Sequence, residues 1–485
     1  MSGRAERMTG PGAADSGAIV RAAFFAVAAA ATCTLFLVLD APAGAAAVVT
    51  LAASFVTVLR AGLGLKLLVL FAPLSRLDFM PHALEGVRGL TPFNALFVLA
   101  ALSYVVSCAL RREKLLKPFG MEWPMLVFAG FLLVSTLRSA DEVSSVVVNV
   151  GIETSGIGFF RDTVLRGWQY LLLALLIGFE SRSRADAHRF LEIFAVSAVV
   201  YGAVFLVAFF EEWFRLGAID VARRSVGKVL NLNINKISSV YAFPLAVGLA
   251  LYGAYPARSG RRWFWLGVAA VSLFVIVFTV SRSGYAGAAF ILAAFMWNRS
   301  RPAAVLLPVL VLLLPVWVIG PIFDRIATQL ESGNADVILT GRLSNVWLPL
   351  LPEVSEHPFL GQGRLAILFS TAAKTGILWR GLNDAHSAYL EQLLDGGIVG
   401  LALVLAFYWA LFRVARRVAR SSGDGVSRRF AHGYSLGLVA YAISSLTGLS
   451  FYPSDGNVFI WALLGVLFAV SRLDRADAAR AEARR

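Results

Sequence analysis

Apolar runs long enough to form buried helices recur along the whole chain, separated by short polar connectors. Crossing a hydrocarbon core about 30 Å thick takes about 20 apolar residues. Runs near residues 20–39, 43–59, 62–74, 92–110, 123–138, 166–180, 190–210, 238–255, 262–280, 284–298, 302–320, 392–412, 433–450 and 457–472 reach or approach that length. They predict an all-α polytopic transmembrane helical bundle of about 12 to 14 spans, because a backbone exposed to lipid must satisfy its hydrogen bonds within its own segment. The count softens where run 62–74 is short and carries Lys66, and where Ser281, Arg282, Ser283 and Gly284 interrupt the pair at 262–298. Losing two spans as a pair leaves the sidedness of later segments unchanged.

The same pattern divides the chain into a polar tail at 1–17, membrane helices over 18–320, one long polar-rich segment at 321–391, three last spans over 392–472 and a basic tail at 473–485. No small-residue cleavage site stands between the first run and the next, so the N-terminal tail is expected to be retained and the first run to act as an anchor.

Composition agrees with a membrane bundle: 58% of residues are hydrophobic and only 15% charged. The formal charge of +14 raises nucleic acid as a partner. It is set aside because the basic residues cluster in connectors rather than on an aromatic-interleaved face. Alternate connectors are strongly basic, including 111–117, 182–189, 258–262, 299–301, 413–429 and the tail 472–485. Such loops resist translocation, so they and both termini are expected to be cytoplasmic. The opposite side then receives 75–91, 139–165, 211–237, 281–284, 321–391 and 451–457. Two of these outward segments break the charge rule. One carries Arg215, Arg223, Arg224, Lys228 and Lys236, the other Arg161 and Arg166. They are either solvated or headgroup-facing surface, or an attraction for an anionic ligand. Cys33 and Cys108 lie in apolar runs and offer no disulfide framework. No internal repeat is evident, which disfavours inverted-repeat transporters.

Chemistry concentrates in the long outward segment. Residues 341–351 (GRLSNVWLPLL) have apolar positions at helical spacing and are expected to fold back onto the membrane. Residues 357–364 (HPFLGQGR) have the Pro and Gly punctuation of a turn, with glycines that let backbone approach a ligand or a neighbouring helix. In 383–407, His386, Tyr389, Leu390, Leu393 and Leu394 share a helical period, which sets His386 at the outward end of a span. An imidazole there either caps and packs the helix entry or exchanges a proton near neutral pH. Arg282, with scarcely any loop around it, is an interfacial snorkelling side chain or a paired, functional one. Arg282, Arg342 and Arg364 all fall on the side of His386, and guanidinium groups together suit a diphosphate. Asp384, Glu391 and Asp395 are candidates to orient the histidine, act as bases or cap the helix. Nothing in the spacing indicates a metal site, a P-loop or a serine nucleophile, and no cofactor is expected.

At this point the chain resembles the bacterial O-antigen ligase and polymerase-like membrane glycosyltransferases. The resemblance rests on NLNINKISSVYAFPLAVGLAL, the SRSG turn, GRLSNVWLPLLPEVSEHPFLGQGR and HSAYLEQLLDGGIVGLALVL, in that order, covering roughly 231–405. It implies a periplasm-facing cavity in the bacterial inner membrane, covered by one large loop. There a glycan passes from an undecaprenyl diphosphate carrier to a glycan or lipid A-core acceptor hydroxyl. The implied partners are that donor, the acceptor, membrane lipids and other polysaccharide-assembly proteins. It also implies that His386 is the base, that Arg282 and Arg342 hold the diphosphate, and that Arg364, after the Gly-x-Gly turn, joins them. Asp384, Glu391, Arg166 and Arg224 are supporting candidates. About fourteen candidate spans exceed the twelve typical of the ligases and approach the polymerases. A transporter or flippase of lipid-linked sugars is the competing class; it predicts charged residues along a path through the bundle, whereas here they gather at one face. A scaffold without a site is the third, and it predicts that the arginines are dispersed.

Overall fold

The computed structural model describes residues 61–73, 83–84, 87–88, 91–144, 156–230, 232–297, 336, 341–378, 382, 384–448 and 450–484. The runs at 20–39, 43–59 and 302–320 lie outside them. The chain divides into two compact units.

The smaller unit contains helices α1 (Ala61–Phe71) and α2 (Pro92–Arg111) and a two-residue antiparallel ladder, Ala83–Leu84 with Val87–Arg88. Thr91 starts α2 by accepting the Asn94 amide at 3.1 Å, and Pro92 takes the first turn, where its missing N–H costs nothing. Cys108 is buried in this helix.

The larger unit is helical. Its elements are α3 (Glu122–Ser144), α4 (Gly156–Phe160), a π-helical turn at Arg161–Leu165, α5 (Arg166–Glu180), α6 (Arg184–Leu216), α7 (Ile219–Val229), α8 (Ile234–Val240), α9 (Ala242–Tyr252), α10 (Gly260–Phe278) and α11 (Arg282–Met296). A second π-helical turn at Leu343–Trp347 leads into α12 (Leu348–Glu356). After it come α13 (Ala366–Phe369), α14 (Thr371–Lys374), α15 (Ala388–Ser421), α16 (Gly425–Ser444) and α17 (Val458–Glu482). Among the described residues six helical stretches are long and apolar enough to cross a membrane: Pro92–Arg111, Glu122–Ser144, Arg184–Leu216, Ile234–Tyr252, Gly260–Phe278 and Ala388–Ser421. The runs at 166–180, 284–298, 433–450 and 457–472 overlap α5, α11, α16 and α17, within the bounds given above.

α9 is apolar all round and accordingly sits at the centre, packed by α10 and α16. α5 and α17 approach closely because both supply glycine at the crossing. A Cβ on Gly465 would stand 2.7 Å from the Ala174 carbonyl, and one on Gly178 3.0 Å from the Phe468 Cβ.

The bundle has two chemically different ends. At one end the basic connectors tie helix termini together. Arg184 pairs with Asp474 at 2.7 Å and Asp477 at 2.8 Å, and Lys117 Nζ donates to the Phe179 carbonyl at 3.2 Å. Arg472 and Arg475 donate to the carbonyls of Ser181 and Phe119. α15 ends there and α16 begins there. The opposite end holds the turn before α11, the start of α15, the end of α16 and the start of α17, and every candidate residue from Arg282 to Glu391 lies at that end.

Candidate functional site

The segment after the second π turn folds over the entry of α15. Val346, Leu350, Leu368, Phe369, Ala385, Leu390 and Leu394 form one buried cluster, which accounts for the helical spacing of 341–351. The Trp347 indole donates to the Ala385 carbonyl at 3.0 Å and fixes the strand of chain that carries the histidine.

The Pro- and Gly-punctuated turn meets a neighbouring helix. α15 is broken at Gly397, whose backbone (φ 62°, ψ −161°) is a conformation essentially reserved for glycine. The break strands carbonyls and amides that lipid could not satisfy. The turn supplies the partners. Gln362 N donates to Leu394 O at 2.8 Å and Gly363 N to Asp395 O at 2.9 Å, while Ile398 N donates to Pro358 O at 2.8 Å and Val399 N to Phe359 O at 3.1 Å. Arg138 on α3 clasps the turn, donating to the carbonyls of Leu360 and Gly361, both at 2.8 Å.

Arg364 is built into this junction. Its Nη1 lies 3.0 Å from Glu391 Oε1 and 2.8 Å from Asp395 Oδ2, its guanidinium carbon stands 3.5 Å from the centre of the Tyr452 ring, and its side chain is 13% exposed. Glu391 and Asp395 therefore neutralise Arg364. The three hold the lid to α15.

His386 precedes α15 instead of lying on it. Its backbone is left-handed (φ 51°), because the Asp384 carboxylate accepts the His386 amide at 3.0 Å in a tight side-chain turn, and Ser387 then caps the helix. The helical period beginning at His386 thus starts two residues late. The same Asp384 oxygen lies 2.7 Å from His386 Nδ1, with both side chains about one-fifth exposed (20% and 19%). Lys236 Nζ approaches the other Asp384 oxygen at 3.9 Å. Burial alone would raise the Asp384 carboxyl, but the hydrogen bond to His386 and the charges of Lys236 and His386 outweigh it and hold the group below the usual carboxylate range.

Arg342 closes the site from the lid. Its Nη1 donates at 2.6 Å to the carbonyl of Thr447, in the 3-10 turn that follows α16. Burial pulls its pKa down, the positive charge of Arg282 pulls it further, Asp384 opposes, and Arg223 adds to the depression. Arg282, Arg342, Arg223, Asp384, Lys236 and His386 are thus brought together electrostatically. Arg282 is exposed at the first residue of α11, just past Val280, whose φ is 51°. Arg223 donates to Asn235 Oδ1 at 3.2 Å, linking α7 to α8, whereas the adjacent Arg224 is exposed. Arg166 pairs with Asp162 at 3.3 Å in the first π turn, where Arg161 also meets Asp162 at 3.0 Å.

Sequence reasoning singled out His386, Asp384, Arg282 and Arg342, which the structure brings together, and Arg364, which it ties to Glu391 and Asp395. It did not assign Lys236, Arg223 or Asn235 to the site. Their signal was present, since Arg223 and Lys236 violate the charge rule for a translocated loop. Asn457 was also passed over. It accepts from Trp461 Nε1 at 2.8 Å and donates to Tyr441 Oη at 3.1 Å and Tyr452 O at 2.9 Å, bracing the loop beside Arg364. No group of three or more metal-ligating side chains occurs among the described residues.

These features define an all-α polytopic membrane protein whose lid carries a histidine–carboxylate pair onto the end of a broken-helix bundle opposite its basic connectors. Residues 266–405 match the family model described as O-antigen ligase, so this stretch of the chain is similar to that family. The matched segment contains Arg282, Arg342, Arg364, Asp384, His386 and Glu391. No curated protein matches the chain.

Proposed function

We propose that this protein is a glycosyltransferase of the periplasmic face of the bacterial inner membrane. In this reading it moves a glycan from an undecaprenyl diphosphate carrier to an acceptor hydroxyl in surface polysaccharide assembly. Asp384 accepts a hydrogen bond from Nδ1–H of His386, so that in the neutral imidazole that acts as base Nε2 carries the lone pair. Nε2 takes the proton of the acceptor hydroxyl as its oxygen attacks the anomeric carbon. The carbon–oxygen bond to the diphosphate breaks, and the diphosphate leaves with the electron pair. Attack from the face opposite the leaving group inverts the anomeric configuration. The charge growing on the diphosphate is met by Arg342 and Arg282, with Arg223 and Lys236 beside them. Both termini are cytoplasmic in this orientation, with the partnered basic end of the bundle facing inward.

The observation that carries this reading is the 2.7 Å His386–Asp384 contact beside an arginine, Arg342, whose charge is crowded by that of Arg282. A diphosphate would relieve that crowding. The test is transfer from a lipid-linked glycan in reconstituted membranes. His386→Ala and Arg342→Ala, inserted and folded normally, are expected to lose transfer; retention of full transfer by either would overturn the assignment. A deletion strain separates the two acceptors within the class. Loss of polymer with single units still attached marks a polymerase, and polymer left on its carrier marks a ligase.

A further inference from the structure

The basic end of α15 carries a second cationic feature that the glycan site does not use. Trp409, Arg413, Arg416, Arg417 and Arg420 recur at helical spacing on one face, and with Phe412 and Ser421 they line an open groove of about 530 Å³. The Trp409 and Phe412 rings stack at 5.4 Å, and Trp409 is 60% exposed although it lies in an apolar span. At the same end of the bundle Arg184, Arg472, Arg475 and Lys117 are each spent on a helix terminus or a carboxylate. The four α15 arginines are not. Among the described residues no carboxylate lies within ion-pair distance of any of them, and none of their guanidinium groups donates to a carbonyl.

Four like charges held within two turns of helix repel one another unless an anion sits among them. Guanidinium groups favour phosphate, which they bind at two points. An exposed indole stacked on a phenyl ring, next to such charges and at the end of an apolar span, suits the boundary between acyl chains and headgroups. We propose that this groove is a binding site for an anionic phospholipid of the leaflet at that end, with the phosphate among Arg413, Arg416, Arg417 and Arg420 and the upper acyl chain against Trp409 and Phe412. The site is independent of the glycan-transfer reading.

The full-length protein, reconstituted in phosphatidylcholine vesicles carrying a minor fraction of photoactivatable phosphatidylglycerol, is expected to be labelled within 409–421. Excess phosphatidylglycerol should compete that labelling about tenfold better than phosphatidylcholine does. Labelling spread evenly over the lipid-facing helices, or competed equally by both lipids, overturns the proposal. The variant Arg416→Gln/Arg417→Gln should lose most of the labelling and keep its melting temperature. Trp409→Ala, which leaves the charge and hence the insertion topology untouched, should weaken labelling as well. If inorganic phosphate in detergent competes as well as the lipid does, the groove is a free-phosphate site and the lipid assignment falls.

Discussion

The Nδ1 atom of His386 lies 2.7 Å from an Asp384 oxygen that also accepts the His386 backbone amide at 3.0 Å. One carboxylate oxygen therefore sets both the left-handed backbone of the histidine and the orientation of its ring. This places the imidazole independently of α15, so the histidine stands in the turn between lid and bundle, where Lys236 and Arg342 also converge.

Asp384→Asn retains the side chain's shape but replaces a charged acceptor with a neutral one. The amide can present its NH2 to Nδ1, favouring the tautomer in which Nε2 carries the proton and cannot act as base. We expect transfer to fall by roughly a hundred- to ten-thousand-fold, with donor affinity little changed. Single-turnover rates separated from donor binding check this. Equal losses in binding and rate would show that Asp384 serves the diphosphate site instead.

The same carboxylate gives a pH dependence whose sign follows from its depressed pKa. In the unfolded chain Asp384 takes up its proton near the ordinary value, so below that pH the unfolded state binds protons that the folded state refuses. Its contribution to stability is fully present above the unfolded value of about 4 and is lost as pH falls through the lower, folded one. Melting curves of wild type and Asp384→Asn in detergent should diverge most at neutral pH and converge as acid is added. A constant difference across the acid limb would rule the linkage out.

Much of this architecture was readable from the sequence, for a simple physical reason. A span must be apolar over its length, so the run at 92–110 marks α2 and the run at 262–280 marks α10 to within a few residues. The site was less legible. The apolar period through Tyr389 and Leu390 continues back to His386, and nothing in that period reveals that Asp384 captures the His386 amide. The Gly396–Gly397 pair sits in an apolar stretch that reads as unbroken helix, and the break shows only once the turn at 358–364 is seen to satisfy its backbone. Lys236 reaches Asp384 across nearly 150 positions, a pairing that periodicity does not encode.

The break itself is testable. A Cβ on Gly397 would fall 2.3 Å from the Phe359 carbonyl carbon, and the backbone there suits glycine alone. Gly397→Ala should therefore cost more than the roughly 1–3 kcal/mol of an ordinary strained residue, since the turn must also move. Gly423→Ala, where a Cβ would meet nothing within 4 Å, is the control and should melt like wild type. Equal melting of both variants would mean that the turn does not grip the break.

Arg364 and Arg342 allow the proposed lid-holding role of one arginine to be tested apart from the proposed diphosphate-binding role of the other. Its partners Glu391 and Asp395 are buried, so Arg364→Ala would leave two carboxylates without a counter-charge, a change that costs on the order of 3–5 kcal/mol. The expected result is a large drop in melting temperature and folded yield. Arg342→Ala, whose side chain gives up one hydrogen bond to the Thr447 carbonyl, should lose transfer while the fold melts within a few degrees of wild type. Removing the charges together discriminates further. Arg364→Met with Glu391→Gln and Asp395→Leu should recover much of the stability lost by Arg364→Ala, because a buried ion network can be exchanged for apolar groups at little net cost. If Arg364→Ala instead folds normally and loses only donor binding, Arg364 belongs with Arg282 and Arg342 at the diphosphate, and its contacts to Glu391 and Asp395 do not hold the lid.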